Sequence, residues 1–175
     1  MERIVVGMAD CQIGAAPQSA LITYALGSCI GLTLYDPVVA LGGLLHFMLP
    51  DSTLDPARAR DNPWMFADTG IPLLLDKLCA KGAAKRRLVA YAVGAAQILD
   101  SEGIFEIGKR NYLATRRLLW KHGLLLAGEA VGGVDYRTVT LEIGTGRLLL
   151  QEAGRHRELA PAGQKKGGPP WPTAF

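Results

Sequence analysis

The sequence predicts a single α+β domain that is rich in short β-strands. Apolar segments with β-branched residues, each bounded by turn residues, recur in the N-terminal part, whereas the middle of the chain carries two segments with helical spacing. In the last third, Val139, Leu141 and Ile143 alternate with polar residues, which is typical of a strand with one buried face. We therefore expect strands at both ends of the chain and helices between them.

The N-terminal part predicts four strands and one hairpin. The expected strands are residues 4–8, 21–26, 29–35 and 41–48. The dipeptide Asp36-Pro37 lies between the last two segments. An aspartate carboxylate can accept a hydrogen bond from the backbone two residues on, and proline fixes its own φ, so this dipeptide favours a tight turn. The third and fourth strands are therefore expected to form a hairpin.

The first helix is expected after a polar segment. Residues 51–62 contain proline and charged residues without periodicity, so we expect an exposed loop there. Asp68 or Thr69 is the expected N-cap of the helix, Pro72 fits its first turn and Gly82 ends it. The buried face is expected to contain Leu73, Leu74, Leu78 and Cys79.

The second half predicts a strand, a helix and a closing hairpin. The strand is expected at residues 88–93, and the helix at residues 111–122 with Asn111 as its N-cap. Residues 138–143 and 147–152 are expected to pair through Gly144-Thr145-Gly146. Beyond Leu159 the chain is rich in proline, glycine and lysine, so we predict one domain at 1–158 and a flexible tail at 159–175.

Composition excludes several classes of protein. The chain has 175 residues, of which 49% are hydrophobic, and a formal net charge of +3, so we expect no nucleic-acid surface. Its apolar runs are shorter than the ~20 residues of a membrane helix, and no secretion signal is evident, so we expect a cytoplasmic protein without membrane insertion. Three cysteines without a C-x-x-C pair indicate reduced thiols.

One cysteine stands in an unusual position. Cys29 follows Gly27-Ser28 at the point where a strand is expected to begin, and His46 lies near the end of the strand paired with it. An antiparallel hairpin brings both residues to the same end, where a histidine can activate a thiol. Gly27 allows the N–H groups near Ser28 and Cys29 to converge on an oxyanion, and Thr23 is available to orient the imidazole.

Other interpretations of these residues stay open on spacing alone. A free cysteine is often a small buried hydrophobe, and His46 between two apolar residues can be an ordinary core or rim residue. The cysteines and histidines show no spacing of a zinc site, so we predict no metal. The pairs Gly42-Gly43 and Gly132-Gly133 lie outside any phosphate-binding pattern and are expected to be turns or close backbone contacts.

Several motifs together resemble the chemoreceptor glutamine deamidases of the CheD family. They are Thr23-Tyr-Ala-Leu-Gly-Ser-Cys29, Leu34-Tyr-Asp-Pro37, Gly42-Gly43, His46-Phe-Met-Leu-Pro-Asp51, Phe66-Ala-Asp68, Ile107-Gly-Lys-Arg-Asn111, Gly132-Gly133 and Gly144-Thr-Gly-Arg147. The resemblance extends to about residue 152. It implies a layered mixed β-sandwich with helices packed on the outside, similar to the cysteine hydrolase domains of deamidating toxins.

The resemblance also implies an activity and its residues. Cys29 would be the nucleophile, His46 the general base and acid, and Thr23 the residue that orients His46. The substrates would be glutamine side chains on cytoplasmic helices of methyl-accepting chemotaxis receptors, hydrolysed to glutamate without a cofactor. Two alternatives stay open: a binding module for receptor helices or for the phosphatase CheC, and a glutamyl methylesterase that uses the same site.

Overall fold

The computed structural model describes residues 1–98 and 106–160. These residues form ten strands: β1 (Glu2–Val5), β2 (Asp10–Gly14), β3 (Ser19–Leu26), β4 (Ile30–Asp36), β5 (Leu41–Phe47), β6 (Val89–Gly94), β7 (Leu126–Val131), β8 (Arg137–Glu142), β9 (Leu148–Glu152) and β10 (Arg155–Ala160). They also form three α-helices: α1 (Pro56–Asp61), α2 (Ala67–Ala80) and α3 (Ile107–Lys121). Short 3₁₀ turns lie at Ser52–Leu54, Pro63–Met65 and Lys85–Arg87.

The strands form two mixed sheets. The first has the order β1-β3-β8-β9-β10 and the second has the order β2-β5-β4-β6-β7. The β1–β3 and β6–β7 pairs are parallel and the other pairs are antiparallel. Consecutive strands β3 and β4 therefore belong to different sheets, so the chain crosses from one sheet to the other between Leu26 and Ile30.

Two apolar clusters hold the layers together. The inner faces of the two sheets meet around Leu21, Leu44 and Val139, all of which are fully buried. The opposite face of the second sheet packs against α2 and α3, where Leu45 and Leu74 belong to the same buried cluster. The predicted α+β fold, a layered mixed sandwich with helices on the outside, is confirmed.

The predicted hairpins at Asp36-Pro37 and Gly144-Thr145-Gly146 are both confirmed. β4 pairs with β5 along its whole length, so that Ile30 lies opposite Phe47 and Asp36 lies opposite Leu41. β8 pairs with β9. The Asp36 carboxylate accepts a hydrogen bond of 3.0 Å from the amide of Val38, as the turn chemistry predicts. Burial raises the pKa of this carboxyl, but bonds from Arg87 and from backbone amides outweigh burial and hold the pKa below its usual value.

The first helical region differs from the prediction. Part of the expected loop at residues 51–62 is helical, because Asp55 caps α1 by accepting a bond from the Arg58 amide. α2 begins at Ala67 without a side-chain cap, and Asp68 instead accepts bonds of 2.9 and 2.7 Å from the amide and hydroxyl of Ser52. Thr69 is also not the cap, since its hydroxyl donates to the Pro63 carbonyl.

Two further predictions about α2 were wrong. Pro72 lies in the second turn rather than the first, where its ring nitrogen cannot donate to the carbonyl of residue 68. Cys79 is exposed and does not belong to the core. The expected stop is confirmed, since Gly82 follows the helix with φ of +104°.

The structure adds three strands that the sequence did not predict, β2, β7 and β10, and it lengthens α3. β2 was not predicted, and the expected strand at residues 4–8 ends at Val5. α3 begins at Ile107, so Asn111 is an interior residue and not the N-cap. β10 continues through Ala160, with Leu159 and Ala160 buried, and residues 161–175 of the predicted tail lie outside the described residues. Within the described part of the chain, every helix is too short or too polar to cross a membrane.

Candidate active site

Cys29 lies in the bend that carries the chain from the first sheet to the second. The pairing of β3 with β8 shifts register after Thr23, and Ala25 there has a left-handed φ of +53°. The residues of the bend are Gly27, Ser28 and Cys29, after which β4 begins. Cys29 is half-buried and packs against the apolar cluster between the sheets. The small residues before the cysteine therefore mark the crossover between the two sheets.

Three donors hold the carbonyl groups of this bend. The amides of Ala96 and Ala95 donate to the carbonyls of Gly27 and Cys29, each at 2.8 Å. The side-chain amide of Asn111 donates to the carbonyl of Ser28 at 2.9 Å. Within residues 1–98 and 106–160, no other residue accepts a hydrogen bond from the main-chain N–H of Ser28 or Cys29. The bend is therefore fixed through its three carbonyls by donors from the segment that follows β6 and from α3.

His46 lies near the end of β5, between β2 and β4. Its direct cross-strand partners are Asp10 and Gly31. Cys29 lies in the bend two residues before Gly31 and packs against the apolar cluster that also contains Leu44, which precedes His46 by two residues on β5. A Cβ at Gly31 would lie 2.9 Å from the side chain of Leu26 and 3.4 Å from that of Thr23, so the glycine lets these two side chains pack closely against β4.

Thr23 contacts His46 across the sandwich. Both residues are buried, at 0% and 2% exposure, and the Thr23 hydroxyl oxygen lies 2.8 Å from Nδ1 of His46. The same hydroxyl donates to the Val6 carbonyl at 2.7 Å. A hydroxyl has one proton and a carbonyl can only accept, so Nδ1 of His46 must be the donor in its bond to Thr23. In the neutral ring Nε2 is then unprotonated, and it has no hydrogen-bond partner among the described residues.

Burial favours the neutral forms of the His46 and Cys29 side chains near pH 7. Removal from water lowers the pKa of His46 to about 4, although the nearby Asp10 carboxylate raises it in part. Burial also raises the pKa of the Cys29 thiol, and a hydrogen bond from the cysteine's own amide lowers it in part. A neutral imidazole with a free Nε2 can accept a proton, whereas a preformed thiolate–imidazolium pair is disfavoured before a substrate arrives.

Two side chains next to the site were not identified as site residues from the sequence. Asp10 lies on the unpredicted β2, directly across from His46. Asn111, fully buried on α3, donates to the carbonyls of Ser28 and Met48 at 2.9 and 2.8 Å. A signal for Asn111 exists in the sequence, because Asn111, Thr115 and Leu118 recur at i, i+4 and i+7, the spacing of a buried helical face.

The described residues offer no obvious metal centre. Within residues 1–98 and 106–160, no three side chains among His, Cys, Asp and Glu gather closely enough to hold a metal ion.

The structure brings together some of the site residues predicted from the sequence. Thr23 and His46 are in contact, and Gly27, Ser28 and Cys29 lie together in the bend before β4.

Comparison with known sequences identifies the family. The sequence model of the family described as CheD chemotactic sensory transduction matches residues 48–152, more than half of the chain. The chain belongs to the CheD family. The CheD model match begins just after His46, so it does not itself cover Thr23, Cys29 or His46.

Full-length relatives cover the rest of the CheD domain. A protein of Solibacter usitatus named "Probable chemoreceptor glutamine deamidase CheD" is 63% identical over 168 residues, which is 96% of this chain and 99% of the relative. A protein of Syntrophus aciditrophicus named "Probable chemoreceptor glutamine deamidase CheD 1" is 44% identical over 88% of this chain and 96% of its own length. A protein of Anaeromyxobacter dehalogenans named "Probable chemoreceptor glutamine deamidase CheD 2" is 44% identical over 86% of this chain and 95% of its own length.

Proposed function

We propose that this protein is a protein-glutamine deamidase that converts selected glutamine side chains of chemoreceptors to glutamate with release of ammonia. Cys29 is the nucleophile, His46 the general base and acid, and Thr23 the residue that orients His46. The N–H groups around Gly27 and Ser28 bind the oxyanion. The names of the relatives support the reaction and the substrate.

One observation carries the assignment of roles. Because the only proton of the Thr23 hydroxyl is donated to Val6, Nδ1 of His46 is the protonated nitrogen. The remaining lone pair is on Nε2, which is buried and unpartnered among the described residues. A buried acceptor without a hydrogen-bond partner lowers the stability of the fold. The role of general base explains why such an acceptor is kept. The Cys29 thiol supplies the proton that this base would take.

The first half of the reaction forms a thioester. The Cys29 sulfur attacks the carbon of the glutamine carboxamide while its proton passes to Nε2 of His46. The carbonyl oxygen becomes an oxyanion, and the main-chain N–H groups of the bend at Gly27, Ser28 and Cys29 are the groups proposed to bind it. The imidazolium then returns the proton to the amide nitrogen, the C–N bond breaks, and ammonia leaves with a γ-glutamyl thioester on Cys29.

The second half releases glutamate. Water attacks the thioester carbon and gives a proton to Nε2 of His46, and the C–S bond then breaks. The Cys29 sulfur recovers a proton from the imidazolium, so the enzyme returns to its neutral state. Throughout the cycle the Thr23 oxygen accepts a hydrogen bond from Nδ1–H of His46, which keeps the imidazole in one orientation and one tautomer.

The proposed substrates are glutamines on the cytoplasmic helices of methyl-accepting receptors, and the proposed location of the enzyme is the cytoplasm. The phosphatase CheC is a second proposed partner. The bend at Cys29 lies at the ends of β3 and β4, and its cysteine is half-buried, so a glutamine side chain that projects from a helix is proposed to reach it. No cofactor takes part in the proposed reaction.

Mass spectrometry of a receptor cytoplasmic fragment tests the proposal. The fragment is incubated with the wild-type protein, with Cys29→Ala and with Cys79→Ala, whose thiol is exposed and distant in sequence from the bend. We expect a gain of about one mass unit at particular glutamines, as hydrolysis of a carboxamide requires, with the wild type and Cys79→Ala only. Deamidation by Cys29→Ala would exclude the thiol mechanism.

Two other results would favour the alternatives. A fragment that is retained by the wild-type protein without any change in mass would indicate a binding module. Loss of methyl groups from methylated glutamates, with the glutamines unchanged, would indicate a methylesterase that uses the same thioester.

A further inference from the structure

We propose that Asn111 is a positioning residue that sets the distance between the nucleophile and the base. This inference rests on the proposed roles of Cys29 and His46. The side-chain nitrogen of Asn111 donates one proton to the carbonyl of Ser28, which directly precedes Cys29. It donates the other proton to the carbonyl of Met48, two residues after His46. One amide thus connects the main chain on both sides of the site.

The connection lies where the sheet no longer holds the two segments together. The β4–β5 ladder ends at the Ile30–Phe47 pair. Cys29 and Met48 are the next residues outward, and they form no ladder pair. Ala95 and Ala96 fix the bend toward β6, whereas Asn111 fixes it toward the end of β5. Without this amide, no described side chain links Ser28 to Met48.

Asparagine suits this position for a physical reason. Both carbonyls must be reached from a fully buried side chain, and a carboxamide offers two donor protons on one planar nitrogen. The Oδ1 atom of Asn111 has no partner among the described residues, and it shares this condition only with Nε2 of His46 among their buried side-chain atoms. A residue kept for packing alone would not need a polar group with an unsatisfied acceptor.

The position of α3 does not depend on Asn111 alone. A Cβ on Gly108 would lie 2.5 Å from the carbonyl oxygen of Ala95, so the first turn of α3 sits directly on the segment that binds the Cys29 carbonyl. Tyr112, Leu118 and Leu119 further anchor the helix in the core. A substitution of Asn111 is therefore expected to leave α3 in place and to release the ends of the β4–β5 hairpin.

The test compares Asn111→Leu, which is similar in size but cannot donate, with Thr115→Val. Thr115 is equally buried on the same helix face, and its hydroxyl donates only within α3, to the Asn111 carbonyl. We expect Asn111→Leu to lower kcat for receptor deamidation by roughly 10²-fold, the effect of misplacement by about 1 Å, with KM unchanged. Thr115→Val should keep the wild-type kcat, although it also removes a buried hydrogen bond and should lower the thermal stability.

A second readout does not depend on the receptor. The rate of Cys29 alkylation by iodoacetamide, followed by peptide mapping between pH 6 and 10, reports how the thiol loses its proton beside His46. The pH at which the alkylation rate is half-maximal should change in Asn111→Leu and stay unchanged in Thr115→Val. If the wild type deamidates no receptor, the proposed function fails, and this profile alone still decides the role of Asn111.

Asn111→Ser is the second variant, since its single hydroxyl proton can hold at most one of the two carbonyls. An intermediate kcat and an intermediate shift of the profile would support the proposal. The proposal would be overturned if the Asn111 variants kept the wild-type kcat and the wild-type pH profile of alkylation. It would also be overturned if Thr115→Val lowered kcat as much as Asn111→Leu does. Failure of both Asn111 variants to fold would also overturn it, because the residue would then be required for the fold and not for alignment.

Discussion

The hydroxyl oxygen of Thr23 lies 2.8 Å from Nδ1 of His46, although the two residues belong to different sheets. The same hydroxyl donates its proton to Val6, so the histidine must donate to the threonine. This contact crosses the interior of the sandwich and selects the imidazole tautomer in which Nε2 is free. Nε2 is the nitrogen to which the proposed function assigns the role of general base.

Replacing the Thr23 hydroxyl tests this contact. In Thr23→Val the Nδ1 proton loses its acceptor and the tautomer is no longer fixed, so we expect receptor deamidation to fall by about 10²-fold or more. The buried Val6 carbonyl also loses its donor, at a cost of about 1–3 kcal/mol in the free energy of unfolding. Thr23→Ser keeps the hydroxyl and should retain most activity. Equal rates for the two variants would show that the hydroxyl is not needed.

The buried histidine should make stability depend on pH. Its pKa is about 4 in the folded protein and 6.5 when unperturbed, so the unfolded chain binds the proton more readily. The associated stability is fully present above pH 6.5 and is lost as the pH falls toward 4, with a total of about 3 kcal/mol.

Urea unfolding between pH 4 and 8 measures this effect. His46→Gln should show a flatter dependence on pH in this window, whereas His156→Gln, at an exposed position on β10, should behave as the wild type. The activity of the wild type should persist below pH 6, since His46, the proposed base, has a pKa of about 4 and stays unprotonated in this range. Loss of activity centred near 6.5 would contradict the assignment of a buried, neutral His46.

The three cysteines should differ in reactivity. Burial raises the pKa of Cys29, and burial together with Asp10 raises the pKa of Cys11 to about 12, whereas Cys79 is exposed. At pH 7 we expect iodoacetamide to label Cys79 first and Cys11 last, because the thiolate is the reactive form. Peptide mapping gives the three rates, and the unfolded protein, in which all three should react alike, is the control. Faster labelling of Cys29 than of Cys79 would instead indicate a thiolate held by His46 in the free enzyme.

Gly94 should be required for the bend at Cys29. A Cβ on Gly94 would collide with the carbonyl oxygen of Cys29, and φ at this residue is +117°. Gly82 is a matched control, since its φ is +104° but open space surrounds it. Each alanine variant bears a backbone cost of about 1–2 kcal/mol, and Gly94→Ala adds about 1–3 kcal/mol of overpacking. Thermal unfolding should show the difference, and only Gly94→Ala should lose deamidation; equal stability would contradict the contact.

The sequence predicted those features that depend on local chemistry. The Asp36-Pro37 hairpin follows from residues next to one another, and it brought Cys29 and His46 to one end of the same pair of strands. Thr23 was chosen as the partner of His46 through the family resemblance and its place on the preceding strand, and the structure brings the two into contact. The role of Thr23 in orienting His46 for catalysis stays a prediction.

The features that were missed depend on distant contacts. β2 has five residues, and it is defined by its pairing with β5, which lies far along the chain, so Asp10 could not be placed beside His46. Asn111 was interpreted as a cap because asparagine favours helix N-termini. The true start of α3 at Ile107 follows Glu106 in a left-handed conformation and depends on the close contact between Gly108 and Ala95.

The protonation state of His46 tests the central claim most directly. Nitrogen-15 NMR of histidine-labelled protein at pH 7, with His46→Gln used to assign the signals, distinguishes protonated from unprotonated ring nitrogens. The structure predicts a neutral ring with the proton on Nδ1 and a bare Nε2, and Thr23→Val should disturb this pattern. A proton on Nε2, or on both nitrogens, would contradict the account of His46 as the base that Thr23 prepares for Cys29.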